Sequence, residues 1–135
     1  MPGMPSGHEI AGPPRVVLIV DDDPDFVALL RHCLPEPVFQ VHHCPYGEKG
    51  LEEARRLKPH LILLDIMMPG IHGLHVLQAL RAEEETARIR IFVTSNVMPR
   101  REVESRLVEL DADFVDKGLP IREITSLIER TLGIH

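Results

Sequence analysis

The sequence predicts a doubly wound α/β domain, with a parallel five-stranded sheet covered by helices on both faces. Short apolar runs such as Val16–Val20 and Leu61–Leu64 are typical of strands buried on both sides. These runs alternate with segments whose apolar residues recur at helical spacing. The links between them are short, which requires parallel pairing with right-handed crossovers.

Five segments have the composition of strands. The first and third are continuous apolar runs, whereas the second is less apolar and is expected at an edge of the sheet. The predicted strands are residues 15–20, 38–43, 60–64, 89–93 and 112–116. For this pattern we expect the flavodoxin-like strand order 2-1-3-4-5.

A helical segment follows each strand, and prolines mark the element boundaries. Pro24 suits the first position of a helix, Pro35 ends that helix, and Pro99 and Pro120 are expected to open the last two. The second helix is predicted over Gly47–Lys58. The apolar stripes contain Phe26, Leu29, Leu30 and Cys33 in the first helix, Leu51, Ala54 and Leu57 in the second, Val76, Leu77 and Leu80 in the third, Val103, Leu107 and Leu110 in the fourth, and Ile121, Ile124, Ile128 and Leu132 in the fifth.

One domain accounts for most of the chain. The 135 residues suffice for a single hydrophobic core. Residues 1–14 are rich in proline and glycine and lack apolar periodicity, so we expect a disordered leader or an artificial extension there. Residues 15–135 are expected to form the folded domain.

Composition narrows the possible functions and locations. The formal net charge of −6 argues against a direct nucleic-acid surface, which is usually basic. No apolar run approaches the roughly 20 residues that span a bilayer. The N-terminus lacks the layout of a signal peptide. The two cysteines, Cys33 and Cys44, are expected as free thiols. We therefore expect a cytoplasmic protein without membrane contact.

Polar residues that suit phosphoryl chemistry follow four of the predicted strands. Asp21 and Asp22 follow the first, Asp65 the third, Thr94 the fourth and Lys117 the fifth. All strand carboxyl ends share one edge of such a sheet, where ligands bind. Crowded carboxylates repel one another, so either some of them are protonated or a divalent cation such as Mg²⁺ or Mn²⁺ neutralises them. A carboxylate can accept a phosphoryl group as an acyl phosphate, with the lysine and hydroxyl taking part of its charge.

Four stretches carry a resemblance to the receiver domains of bacterial response regulators. It extends over about residues 15–133, with each stretch at the carboxyl end of a predicted strand. The stretches are Val-Asp21-Asp22-Asp23-Pro24, Leu-Leu64-Asp65-Ile-Met67-Met68-Pro69-Gly70, Val-Thr94-Ser95 and Phe114-Val-Asp-Lys117.

The resemblance implies a role for each matching residue. Asp65 would be the phosphoacceptor, and Lys117 would contact the phosphoryl oxygens. The implied metal ligands are Asp21, Asp22, Asp65 and the backbone carbonyl of Met67, and the implied switch residues are Thr94 and Phe114. No organic cofactor is implied. The domain would be a signalling switch that promotes only its own phosphorylation and dephosphorylation.

The resemblance also implies partners. A sensor histidine kinase or a phosphotransfer protein would supply the phosphoryl group. The surface around the fourth and fifth helices would change and bind a downstream target or effector domain, and a homodimer through the fourth helix, fifth strand and fifth helix is possible. Since the sequence ends soon after the fifth predicted helix, we expect a single-domain regulator or a part of a larger one.

Three positions depart from the family pattern. Gly118 replaces the usual proline after Lys117, and we predict a trans peptide bond there because a cis bond before a non-proline residue costs about 2.5–4 kcal/mol. His72 replaces an aspartate that often caps the third helix, and Asp111 replaces a helix-ending glycine. Aspartate tolerates the left-handed conformation better than most residues, so this last change is expected to be benign.

Several alternative interpretations remain open from the sequence. The run from Asp21 to Asp25 offers the Asp-x-Asp of haloacid dehalogenases, although their usual following turn and cap domain are not seen. A receiver-like interaction module that is never phosphorylated is the other alternative. A dinucleotide site is excluded because no G-x-G-x-x-G follows the first strand. Asp23 is expected at a helix N-terminus rather than on a metal, and His42 and His43 as solvated or half-buried side chains rather than a metal pair.

Overall fold

The computed structural model describes residues 12–67 and 73–134. Five strands and five helices alternate, and the strands pair in parallel in the predicted order β2-β1-β3-β4-β5. The strands are β1 Arg15–Val20, β2 Phe39–Cys44, β3 Leu61–Asp65, β4 Arg90–Ser95 and β5 Asp113–Asp116. The helices are α1 Pro24–Cys33, α2 Gly47–Leu57, α3 Gly73–Ala82, α4 Arg101–Glu109 and α5 Ile121–Thr131. The predicted fold class and the edge position of the second strand are confirmed.

The element boundaries differ from the predictions by one or two residues. Strands β2 to β5 each begin one residue later than predicted, and β3 and β4 extend into polar residues at their carboxyl ends. Ladder hydrogen bonds join main-chain groups, so Asp65 and Thr94 can pair within the sheet despite their polar side chains. Pro99 precedes α4 by two residues, and Pro120 is the residue just before α5 rather than its first.

The sheet separates two hydrophobic cores. On one side, alternate residues of β1, β3 and β4 pack against α2, α3 and α4, with Ala54, Val76, Leu77 and Leu107 buried. On the other side, the remaining strand residues pack against α1 and α5, with Phe26, Leu30 and Ile124 buried. Burial on both faces explains why the central strands are apolar throughout.

Close packing at Gly73 shapes the segment that follows β3. A Cβ atom at Gly73, the first residue of α3, would overlap the Cα of Ile66. Only glycine lets the start of α3 approach the main chain this closely. The close approach fixes the chain just beyond Asp65, at the carboxyl edge of the sheet.

Some predictions fall on residues outside this description. The predicted leader lies outside it except for residues 12–14, and His72 and most of the loop after Met67 also lie outside it. Cys33 and Cys44 are free thiols. None of the helices formed by residues 12–67 and 73–134 has the length and apolar character needed to span a membrane.

Candidate functional site

Three carboxylates meet at the carboxyl edge of the sheet. Asp21 and Asp22 directly follow β1, and Asp65 is the last residue of the neighbouring strand β3. One oxygen from each carboxylate lies within 4.8 Å of the others. Asp21 and Asp65 are buried, with 1% and 4% of their surface exposed, whereas Asp22 faces solvent. The structure therefore brings together the acidic residues that the sequence placed at a metal site.

Main-chain amides orient the two buried carboxylates. The Asp23 amide donates to Asp21 Oδ1 at 2.9 Å, and the Met67 amide donates to Asp65 Oδ1 at 2.8 Å. Each bond closes a turn in which an aspartate accepts from the amide two residues on. Because the chain must turn at a strand end, the same turn that ends each strand also aims its carboxylate.

Lys117 supplies the positive charge of the site. It follows β5, and its side chain is only 6% exposed. Its Nζ donates to Asp21 Oδ1 at 3.0 Å and to Asp65 Oδ2 at 3.3 Å, and it lies 4.9 Å from the centre of the Phe26 ring. The ammonium is thus held between two carboxylates and an aromatic face, as a fixed point charge.

The charges at this site do not balance. Burial raises the pKa of the Asp21 carboxyl, the Lys117 hydrogen bond opposes that rise, and the negative charge of Asp65 adds to it. Burial alone would lower the pKa of Lys117, but its contacts with Asp21 and Asp65 outweigh burial and raise it. The two directions agree physically, because several carboxylates share a single ammonium. With all three acids ionised, a surplus of two negative charges remains.

Two buried oxygen atoms at this edge lack hydrogen-bond partners. Within residues 12–67 and 73–134, the buried side-chain polar atoms without such a partner are Asp21 Oδ2 and Thr94 Oγ1. Asp21 Oδ2 lies 2.9 Å from Lys117 Nζ, but in a direction that makes no hydrogen bond. Unsatisfied buried groups are costly, so their concentration at one place indicates a site for a ligand. A divalent cation fits the carboxylates, and an oxyanion fits the Thr94 hydroxyl.

The other predicted site residues have mixed outcomes. Asp23 accepts hydrogen bonds from the amides of Asp25 and Phe26 and caps α1, so its expected place at a helix N-terminus is confirmed. Phe114 is half-buried in the core beside α4, which leaves its switch role a prediction. The Met67 carbonyl likewise remains a predicted ligand.

The loop after Lys117 confirms one further prediction. The Lys117–Gly118 bond is trans, since Glu36–Pro37 is the cis bond found within the described part of the chain. The Gly118 amide donates to Asp116 Oδ1 at 2.8 Å, a bond that proline could not make. Asp111 adopts the left-handed conformation with φ of 54°, as expected for the residue that replaces a helix-ending glycine.

The comparison with known families agrees with this geometry. Residues 17–129 match the model of the response regulator receiver domain. The chain belongs to this family. Membership decides against a haloacid dehalogenase. The roles of the individual site residues remain predictions.

Individual relatives of this receiver domain are regulators from several bacteria. The DNA-binding response regulator MtrA of Mycolicibacterium smegmatis is 39% identical over 116 residues, which are 86% of this chain and 50% of MtrA. The probable transcriptional regulatory protein TcrX of Mycobacterium tuberculosis is 30% identical, over 89% of this chain and 52% of TcrX. The chain spans about half the length of the curated relatives it matches.

A solved structure supports the same assignment. The BeF3-activated N-terminal receiver domain of Klebsiella pneumoniae RstA is 26% identical, with a TM-score of 0.75. The match covers 87% of this chain and 98% of the RstA chain.

The sequence did not predict that His43 contacts the main chain of a site residue. Both His42 and His43 are half-buried or partly solvated, as expected. However, the His43 Nε2 atom lies 2.7 Å from the main-chain oxygen of Asp21. The only sequence signal was its position one residue before the end of the strand that pairs with β1, because residues near strand ends can reach the neighbouring loop.

Proposed function

We propose that this receiver domain accepts a phosphoryl group on Asp65 in the presence of Mg²⁺ or Mn²⁺. One observation supports the proposal most directly. Surplus carboxylate charge and two buried oxygens without hydrogen-bond partners, Asp21 Oδ2 and Thr94 Oγ1, occur together at the strand end that carries Asp65. The donor would be a phosphohistidine of a sensor kinase or a phosphotransfer protein. An oxygen of Asp65 forms a bond to phosphorus while the phosphorus–nitrogen bond breaks, and the released imidazole takes up a proton.

Each site residue would have a distinct role in binding the cation or the phosphoryl group. Asp21, Asp22, Asp65 and the Met67 carbonyl would hold the cation, which neutralises charge on the phosphoryl oxygens when bound. Lys117, already within 3.3 Å of Asp65 Oδ2, would pair with the transferred group. The Thr94 hydroxyl has no partner in the described structure and is free to donate to a phosphoryl oxygen. The domain would thereby promote its own phosphorylation and dephosphorylation.

The output would pass through the surface around α4 and α5. Helix α4 has one buried residue, Leu107, whereas α1 and α5 each have three. Val97, Met98 and Val108, in α4 and the loop before it, are more than half exposed. Helix α4 follows the strand that contains Thr94, and its weak packing suits a two-state switch. The populations of the two states shift by as much as the phosphoryl group stabilises one of them over the other. The altered surface would bind a downstream target or effector domain, or a second copy through α4, β5 and α5.

Intact mass spectrometry tests the acceptor directly. The chain is incubated with Mg²⁺ and acetyl phosphate, beside Asp65→Asn and the control Asp116→Asn, whose carboxylate faces the Gly118 amide instead. We expect one phosphoryl group on the native chain and the control, none on Asp65→Asn and none in EDTA. Hydroxylamine should remove it, as expected for an acyl phosphate.

Other results would have clear meanings. If the native chain gains no mass at times short enough to precede hydrolysis, the domain is an interaction module that is not phosphorylated. If Asp65→Asn still gains a phosphoryl group, the acceptor has been assigned wrongly.

A further inference from the structure

The main chain of Asp21 is held by β2 through both its amide and its carbonyl group. The Asp21 amide donates to the Cys44 carbonyl at 3.0 Å, which continues the ladder between β1 and β2. In a parallel ladder the Asp21 carbonyl would next accept from the main chain two residues beyond Cys44. There the chain turns away into α2, and the imidazole of His43 takes the place of that donor, 2.7 Å from the carbonyl oxygen.

The chemistry of this contact determines which ring nitrogen of His43 carries a proton. A carbonyl oxygen can only accept a hydrogen bond, so Nε2 must carry the proton. The bond is short and connects residues 22 positions apart in sequence. It is therefore a side-chain extension of the β1–β2 ladder at the edge where the carboxylates meet.

The hydrogen bond from His43 is important because the Asp22 side chain has few contacts that fix its position. Asp22 is exposed, and no hydrogen bond or ion pair to its side chain is found in the described part of the chain. Its carboxylate nevertheless lies within 4.8 Å of those of Asp21 and Asp65. Its position thus depends on the orientation of the main chain between Asp21 and Asp22, and that peptide carries the carbonyl that His43 holds.

We propose that His43 is a positioning residue for the cation site. By fixing the peptide between Asp21 and Asp22, it would keep both carboxylates directed to one point before the cation arrives. Groups that orient metal ligands without touching the metal commonly set its affinity. The inference rests on the proposed function, since it concerns the same cation site.

Calorimetric titration with Mg²⁺ alone tests this role without any phosphoryl transfer. His43→Leu removes the donor and keeps an apolar side chain of moderate size, whereas the amide of His43→Gln can still donate to the Asp21 carbonyl. His42→Leu is the matched control, because His42 contacts the exposed Gln40 side chain instead. Thermal unfolding without Mg²⁺ shows whether each variant is folded.

We expect His43→Leu to raise the Mg²⁺ dissociation constant about tenfold, the lower end of the effect of removing such a partner. His43→Gln should stay within about threefold of the native chain, and His42→Leu should match it. If His43→Leu fails to fold, His43→Asn replaces it, since its shorter amide should not reach the carbonyl. Native affinity in the Leu or Asn variant would overturn the proposal, and so would an equal loss in a folded Gln variant.

Two further results distinguish a failure of this proposal from a failure of the proposed function. Long-range ¹H–¹⁵N correlation of the histidine rings should show the Nε2–H tautomer for His43 in the absence of Mg²⁺, and an Nδ1–H tautomer would contradict the contact. A native chain that does not bind Mg²⁺ at all would instead overturn the cation site of the proposed function.

Discussion

The two ends of the β-sheet treat buried polar groups in opposite ways. At the carboxyl end, Lys117 is shared by several carboxylates, and Asp21 Oδ2 and Thr94 Oγ1 lack hydrogen-bond partners in the described structure. At the amino end, Arg81 at the end of α3 uses its guanidinium to bind main-chain oxygens that precede β4 and β5. These are Leu110 O at 2.7 Å, Ala87 O at 2.9 Å, Ile89 O at 2.7 Å and Asp111 O at 3.0 Å.

The contrast distinguishes a stabilising cluster from a binding site. Burial lowers the pKa of Arg81, and the nearby Asp111 carboxylate only partly offsets this. The partners of Arg81 are neutral main-chain carbonyls, through which it joins α3 to the loops that precede β4 and β5. The amino end has its hydrogen bonds satisfied without a ligand, whereas the carboxyl end leaves charge and hydrogen-bonding capacity for one.

Removal of the Arg81 side chain should have the largest effect. Arg81→Met leaves four carbonyls without their donor, and we expect a loss of about 2–4 kcal/mol in the free energy of unfolding. Urea denaturation without Mg²⁺ measures it, with the exposed Arg88→Met as the control. Added Mg²⁺ should stabilise native and variant equally, because the proposed cation site lies at the other end. A variant as stable as the native chain would mean that water replaces the guanidinium without loss.

Two buried threonines offer the same substitution at opposite ends. Thr86, in the loop after α3, donates its hydroxyl to Leu80 O at 2.6 Å, whereas Thr94 Oγ1 has no partner. We expect Thr86→Val to lose about 1–2 kcal/mol and Thr94→Val to be neutral or slightly stabilising in urea denaturation without Mg²⁺. Equal losses at both positions would indicate that Thr94 has a partner in solution, and the contrast between the two ends would then fail.

A small gain in stability is expected from Asp21→Asn. Loss of one crowded carboxylate relieves repulsion with Asp65, so thermal unfolding in EDTA should shift upward by a few degrees. The same variant should lose most of the Mg²⁺ stabilisation expected for the native chain, because a proposed metal ligand is removed. A downward shift in EDTA would show that the pairing of Asp21 with Lys117 outweighs the repulsion.

The sequence predicted the fold and most of the site for identifiable reasons. Apolar strands, helical periodicity and prolines at boundaries all favoured one arrangement, and the strand order was confirmed. Asp21, Asp22, Asp65 and Lys117 were predicted to meet because each follows a strand, and parallel pairing gathers strand ends at one edge. Boundaries were less accurate, since main-chain pairing continues through polar residues such as Asp65 and Thr94.

The tertiary structure alone decided how side chains and main-chain groups are paired. Arg81 and His43 bind carbonyl oxygens, which every residue possesses, so the sequence gives no sign of which carbonyl lies in reach. Thr86 and Thr94 have the same side chain, and only their surroundings make one satisfied and the other free to bind. The sequence by itself determined the fold and the acidic strand ends, because these follow from periodicity and parallel pairing. Which polar groups are already satisfied depends on distances between remote segments, which only the folded chain defines.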